Sequence, residues 1–513
     1  MILAKSAPEI LIVDFGSQTC HLIGRRLRDL GVNVEIVLPR QALVTIKIQK
    51  PKGVILSGGP DSVYERGSLT IDKKIFSLGI PILGICYGWQ LTAKLLDGKV
   101  VLGKKEFGPA NLLINRESPL FSGVDSYTRV WVSHGDTVVK MPSHFVQLGQ
   151  TQDVEFAAVC NIQNNIYGVQ FHPEVEHTPF GSVILKNFAQ RVCRLRFSKR
   201  LISLKKLIHS IQREVKNGDI ICAVSGGIDS TVTSLLIGKA LRNRLHPIYV
   251  ESGLMRERTK EEVTKLFKKY LGIRPIIVEA RNLFLQKLRG IANPEEKRKV
   301  IGNLYIRLFE QQAKKIKNVK YLAQGTIYSD VIESKGTTHA DKIKSHHNVG
   351  GLPARLKLKL LEPLRFFYKD EVRAIAEKLG LPKEIVYKQV FPGPGNAIRI
   401  IGEVTKERLE KQKLCDAIVV DEIKKARRYN KTHMSFSVLT GVKSTAVKGD
   451  ERELLEVVAV RVIESKDIMT TDWTKLPYDV MQRISSRIVN EVPGVSRVVY
   501  DITTKPPATM EWE

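Results

Sequence analysis

The stretch Ser225-Gly226-Gly227-Ile228-Asp229-Ser230 lies between the apolar run Asp219–Val224 and a helical pattern at Thr231–Leu241. A short strand of the buried kind, a glycine-rich turn and a helix, in that order, form the repeating unit of a parallel α/β sheet. Two glycines let the backbone approach an oxyanion closely, the helix start points free N–H groups at it, and the serine hydroxyls add donors. No Lys follows the second Gly, so this is not a GxxxxGK[ST] loop. An ordinary Ser-capped turn between strand and helix fits the same six residues equally well.

Outward from this stretch the alternation continues. Upstream, strand-like Glu9–Phe15, helical Thr19–Leu30 and strand-like Val32–Val37 are followed by strands at Gly53–Ser57 and Pro81–Ile85. Downstream, strands are predicted near Pro247–Val250, Pro275–Val278 and Tyr321–Gln324. The basic stretch Arg191–Arg200 places a linker near residue 195, and Phe391-Pro392-Gly393-Pro394-Gly395, fit for neither helix nor central strand, marks a second boundary. Beyond it come strand-like Ile398–Ile401, a helix at Lys406–Tyr429, and strands at Ser435–Val438, Leu454–Val462 and Arg497–Tyr500. The expected fold class is α/β: two successive parallel-sheet α/β domains, 8–196 and 197–390, then a smaller α+β C-terminal domain, 391–513.

The 513 residues suffice for roughly three domains with their own cores. No apolar run approaches the roughly 20 residues that span a bilayer, and Met1–Val13 does not resemble a secretory signal, so a cytoplasmic address is expected. Six cysteines, at 20, 86, 160, 193, 222 and 415, form no CxxC pair, which argues against a zinc ribbon or a disulfide framework. The net charge of +28 suits a nucleic-acid binder. The basic residues are nevertheless spread along the whole chain, as solvated faces are, and a surface of this sign also draws small anionic substrates.

Gly84-Ile85-Cys86-Tyr87-Gly88 joins the strand at 81–85 to a helix. Small residues two before and two after a nucleophile are what a strained elbow requires, and a helix start favours the thiolate. A buried inert cysteine is the competing reading, weakened by the double Gly. In Gly168-Val169-Gln170-Phe171-His172-Pro173-Glu174, His172 and Glu174 would share one face of an extended segment, as base and orienter. Ser57-Gly58-Gly59-Pro60 and the Tyr87 N–H are candidates for an oxyanion site.

In combination these segments resemble the class I glutamine amidotransferases over residues 9–190. The resemblance implies a Cys86, His172 and Glu174 triad, with Gly58, Gly59, Tyr87, Gln90, Ser133 and His134 around glutamine. Trp89 replaces the family's usual Met. The 225–230 stretch resembles the pyrophosphate loop of N-type ATP pyrophosphatases, which implies ATP held by Ser225, Gly226, Gly227, Ile228, Asp229 and Ser230. Mg²⁺ would sit at Asp229, and Lys369, on a mobile segment, would meet the leaving pyrophosphate. Arg497–Ile502, the ending Lys505–Glu513, Gln324–Ser334 and Lys344–Pro353 resemble the glutamine-hydrolysing GMP synthases. That family implies xanthosine 5'-monophosphate (XMP) at Arg497, Lys505, Met510 and Glu511, a homodimer through the third domain, and no nucleic-acid or membrane partner. Water must be kept from both the thioester and the adenylate, so closure of the first domain on the second is expected during turnover.

Several positions depart from the pattern. Asn303 stands where an Arg is expected, Glu251-Ser252 replaces Asp-Asn, Asn396 replaces Leu, Thr445-Ala446 replaces Val-Gly and Met510 replaces Ile. One lost charged contact costs about 1.5–3 kcal/mol, so these changes bear on nucleotide affinity more than on reaction type. NAD or asparagine synthetases fit the phosphate loop but not the thiol elbow together with the ending. A tRNA-thiolating enzyme would need sulfur-transfer cysteines that this chain lacks. The non-enzyme alternative, a nucleotide-sensing or RNA-binding descendant of a synthetase, draws on Asn303.

Overall fold

A computed structural model describes residues 7–17, 19–196, 202–328, 330, 358–448, 451–465, 471–505 and 508–513. Residues 331–353, which include Val331–Ser334 and all of Lys344–Pro353 from the resemblances above, lie outside the described residues. The chain divides into two compact units, residues 3–201 and 202–513.

The first unit is built on a nine-stranded sheet: β1 (Ile10–Val13), β2 (Val34–Val37), β3 (Gly53–Leu56), β4 (Ile82–Ile85), β5 (Lys99–Ile114), β6 (Tyr127–Lys140), β7 (Val146–Gln150), β8 (Ala158–Asn161) and β9 (Ile166–Val169). Their order is β2-β1-β3-β4-β9-β8-β7-β5-β6. The pairings from β2 through β9 are parallel and those from β9 to β6 antiparallel. The sheet is thus mixed, which corrects the expected all-parallel sheet. The long β5–β6 hairpin has polar residues at alternate positions, a pattern that reads as surface until its other face is known to be buried. In β1, by contrast, every residue is buried: Ile10 and Ile12 pack on one side of the sheet, Leu11 and Val13 on the other.

The second unit holds a five-stranded parallel sheet of β10 (Asp219–Ala223), β11 (Leu245–Glu251), β12 (Ile276–Glu279), β13 (Val319–Ala323) and β14 (Lys359–Leu361), in the order β12-β11-β10-β13-β14. Strand order reverses between β10 and β13, the place where open α/β sheets bind ligands at their carboxyl ends. The same unit carries a third sheet of β15 (Met434–Lys448), β16 (Glu451–Glu464), β17 (Asp472–Trp473) and β18 (Val495–Tyr500), with β15 and β17 antiparallel and β18 parallel to β16.

One apolar core runs from Ile221, Ile248 and Leu322 through Leu254, Ala397 and Ile400 to Val458, Val460 and Ile484. The division expected at 390/391 falls inside this unit. The strand expected at Ile398–Ile401 is instead a 3₁₀ turn, Gly395–Arg399, followed by a single bridge from Ile400 to Leu439. Gly395 has φ +66°, and a Cβ there would lie 2.4 Å from the Leu254 carbonyl oxygen, so the turn requires glycine at this position. Among the described residues no helix is long and apolar enough to cross a membrane.

Candidate active sites

Cys86 links β4 to the helix Tyr87–Leu95 with φ 49°, a conformation non-glycine residues seldom adopt. Its neighbours show why the turn needs glycine. A Cβ on Gly84 would sit 2.8 Å from the Gly88 carbonyl carbon, and one on Gly88 would sit 2.3 Å from the Leu56 oxygen. The thiol is 3% exposed, 3.7 Å from the Ser133 carbonyl oxygen and 3.7 Å from Gln170 Nε2.

His172 Nδ1 lies 2.8 Å from Oε1 of the fully buried Glu174, and its ring is near enough to the Cys86 thiol to feel its charge. Burial alone would push the imidazole pKa down. The Glu174 carboxylate and the thiol outweigh it and hold His172 well above its ordinary 6.5. The expected extended segment is a turn at Pro173-Glu174, four residues past the end of β9 at Val169. The turn still brings His172 and Glu174 together.

Gly58 and Gly59 border this pair: a Cβ on Gly58 would lie 3.0 Å from His172 Cε1, and one on Gly59 3.1 Å from the Tyr87 ring. Among the described residues the N–H groups of Gly58, Gly59 and Tyr87 donate no hydrogen bond, as donors reserved for an oxyanion would be. The Ser57 hydroxyl is committed elsewhere, accepting from Phe15 N–H at 3.0 Å and donating to the Gly58 oxygen at 2.8 Å. Gln90 is buried and donates to the Asp136 carbonyl at 2.7 Å, which ties the helix after the elbow to β6. Ser133 turns its carbonyl toward the thiol while its side chain is exposed.

His134 is 5% exposed, and Glu106 lies 3.0 Å from its Nε2 but outside hydrogen-bonding geometry. Burial, with His172 second, lowers its pKa to about 4. The unfolded imidazole protonates near pH 6.5 and the folded one only near pH 4, so falling pH across this window favours the unfolded chain. His134→Gln should remove up to about 3 kcal/mol of that pH dependence, read from denaturant unfolding at pH 7 and pH 4.5.

At the second site the helix following β10 begins at Ile228, three residues before the sequence pattern suggests. Gly226 has φ +80°, and the Ser230 hydroxyl donates to the Gly227 oxygen at 3.1 Å, closing the loop. The Ser225 hydroxyl accepts from Gly227 N–H at 3.3 Å and lies 3.3 Å from Ser230 Oγ. Gly325, just past β13, packs on the helix start, where a Cβ would come within 2.8 Å of Ser230 N. The loop therefore lies at the reversal of strand order. Lys369 is the first residue of the helix Lys369–Lys378, and its Nζ is 2.5 Å from Asp229 Oδ2. One further cation, Arg373, was not anticipated. His433 has its pKa lowered to about 4 by burial and then by Arg373, Lys369 and Lys505, so these three charges act on one neutral imidazole. The i,i+4 spacing of Lys369 and Arg373 on one helix was the available signal for Arg373.

The residues expected around XMP do not form a single group. Arg497 is exposed on β18 and registers with Val457, whereas Lys505 bridges Thr471, beside the part of β17 that registers with Glu464. The two stand roughly 20 Å apart along the edge of β16 at about 3.3 Å per residue. Glu511, expected to meet sugar or base, accepts from Nε and Nη2 of Arg399 at 3.0 Å each. The Arg399 side chain is 1% exposed and lies between the rings of Phe391 and Phe436. Met510 offers its carbonyl to Arg461, which also holds Asp501, Thr503 and Thr509. Asn303 is exposed on the helix Pro294–Lys315. Arg399→Leu would leave the half-buried Glu511 without its partner and the buried Asp416 with one cation in place of two, a loss of about 3 kcal/mol readable as a lower urea midpoint.

The elbow, the His–Glu pair and the flanking glycines define a class I glutamine amidotransferase. The model of that family, described as "Glutamine amidotransferase class-I", matches residues 11–192, and "GMP synthase C terminal domain" matches residues 421–512. The chain is 48% identical over 506 residues to "GMP synthase [glutamine-hydrolyzing]" of Caldanaerobacter subterraneus subsp. tengcongensis, covering 98% of this chain and 99% of that one. The protein of the same description from Aquifex aeolicus is also 48% identical over 506 residues, with the same coverage. A solved glutamine amidotransferase of Thermotoga maritima is 20% identical over 37% of this chain and 99% of its own, with a TM-score of 0.30. The chain belongs to the glutamine-hydrolysing GMP synthase family.

Proposed function

We infer that this enzyme aminates XMP to GMP, taking ammonia from glutamine and releasing glutamate, AMP and pyrophosphate. The observation that carries the reading is the coexistence, on one chain, of the Cys86–His172–Glu174 elbow and the Ser225–Ser230 phosphate loop. At the first site the thiolate adds to the glutamine carboxamide carbon, the oxyanion faces the N–H groups of Gly58, Gly59 and Tyr87, and His172 gives the leaving nitrogen its proton. Water then releases glutamate from the thioester, with His172 taking the proton back.

At the second site the loop N–H groups and the hydroxyls of Ser225 and Ser230 receive the phosphates of ATP, and Lys369 neutralises charge on the departing pyrophosphate. The C2 oxygen of XMP displaces pyrophosphate from the α-phosphorus. Ammonia then adds at C2 and AMP leaves. Asp229 Oδ1 is buried and has no hydrogen-bond partner among the described residues, which fits a carboxylate oxygen kept for Mg²⁺. When bound, Mg²⁺ screens phosphate charge. Among the described residues no group of three acidic, His or Cys side chains could hold a metal, so the phosphates themselves would supply the other ligands.

Lys505, whose charge acts on the same His433 imidazole as those of Arg373 and Lys369, supports entry of the anionic acceptor from this side. The amidotransferase module is assigned to 8–196, and the segments 197–390 and 391–513, expected as two domains, share one apolar core. A homodimer through the last is supported by exposed Val442, Val447 and Leu454 on its long hairpin. A cytoplasmic address suits six free cysteines. The test is glutamine-dependent conversion of XMP to GMP with release of pyrophosphate, against salt-sensitive RNA binding without turnover.

A further inference from the structure

We propose that Ser17 and Thr19 form a hydroxyl relay that pins the Glu174 carboxylate, which makes Thr19 a positioning residue for glutamine cleavage at Cys86. The proposal rests on the reading of Cys86, His172 and Glu174 as the glutamine site.

Thr19 occupies the N-cap position of the helix Cys20–Asp29, where a threonine hydroxyl ordinarily accepts from an N–H of the first turn. It makes no such cap here. Its hydroxyl instead donates to Glu174 Oε1 at 2.6 Å, across 155 residues of sequence, and this is the same oxygen that faces His172 Nδ1 at 2.8 Å. A threonine hydroxyl has one proton. With that proton on Glu174, the 2.8 Å contact between the Ser17 and Thr19 hydroxyls runs from Ser17 to Thr19, and the Thr19 N–H donates back to Ser17 Oγ at 3.1 Å. The proton order is therefore Ser17 to Thr19 to Glu174, each bond polarising the next.

Glu174 is fully buried, and its Oε2 has no hydrogen-bond partner among the described residues. The carboxylate is thus gripped through Oε1, by His172 on one side and Thr19 on the other. Released by Thr19, the carboxylate would be free to turn and present either oxygen to the imidazole. Ser17 also borders the oxyanion loop: a Cβ on Gly58 would lie 3.5 Å from Ser17 Oγ and 3.0 Å from His172 Cε1. The relay therefore spans the gap between the orienter of the base and the loop that receives the oxyanion. Outer partners of this kind hold an active imidazole in one orientation.

The full chain is assayed with XMP, ATP and Mg²⁺, using glutamine or ammonium as nitrogen source, and Cys86 is alkylated with iodoacetamide as a function of pH. Thr19→Val should lower the glutamine-driven kcat by about 10- to 100-fold, as loss of such a partner does at metal-bound histidines, with KM for glutamine little changed. The alkylation midpoint should move to higher pH, because a loosened Glu174 stabilises the imidazolium beside the thiolate less well. Thr19→Ser, which keeps the hydroxyl, should restore both. An unchanged kcat and pH profile in Thr19→Val, or a Thr19→Ser variant as impaired as the valine, overturns the relay. If Thr19→Val does not fold, Ser17→Ala carries the test: a smaller shift in the same direction supports the relay and an unmoved profile overturns it. Glutamine-driven turnover persisting in Cys86→Ala would instead overturn the site reading itself, a result independent of Thr19.

Discussion

Cys86→Ala should bring glutamine-driven GMP formation down by roughly four to six orders of magnitude, the range found when a catalytic nucleophile is removed. Synthesis from added ammonium should continue at the rate of the unsubstituted protein. The asymmetry follows from the chemistry: the thiol makes the only covalent bond to glutamine in the proposed sequence, and ammonia supplied from solution bypasses it. Alanine suits the elbow, since it removes Sγ without adding bulk where the backbone already runs at φ 49°. The thiol's own interactions are weak, at 3.7 Å to Ser133 and Gln170, so the fold should tolerate the change. Loss of both activities would show that the two sites do not divide the labour as proposed.

Asp229→Ala should stop GMP formation from either nitrogen source, by at least about 100-fold, the scale of losing one preorganised electrostatic partner in an active site. Asp229 is the one carboxylate in the phosphate loop, with one oxygen on Lys369 at 2.5 Å and the other buried without a partner among the described residues. Its removal takes away the proposed Mg²⁺ ligand and releases Lys369 together. Asp229→Asn separates the two effects, because it keeps the shape and loses the charge. Pyrophosphate release is the readout. Unchanged ammonium-driven rates in Asp229→Ala would reject the role given to this carboxylate.

What was legible in the sequence is what local geometry dictates. Gly84 and Gly88 are required by contacts within a few residues and one neighbouring strand, so the elbow announces itself. The phosphate loop does the same, since its glycines and serines bond mainly to one another. The β5–β6 hairpin escaped notice because Ser133, Gly135 and Thr137 interrupt its apolar residues, and only the other strands show which face is inside. Arg399, Arg461 and Lys297 were equally illegible. A lone basic residue reads as surface, and their burial depends on Phe391, Phe436 and the tail, brought in from distant parts of the chain. The same pairing explains why Glu511, read as a ligand contact, is found holding Arg399.

The core that runs unbroken from Ile221 to Val495 bears on how this polypeptide can be taken apart. Severing it near Pro392 would part Arg256 from Asp416, uncover Leu254 and leave each piece with a raw apolar wound prone to clumping. A scissile site engineered around residue 201 cuts between compact bodies instead. Anyone seeking fragments that survive alone in a tube should look for two pieces here, not three.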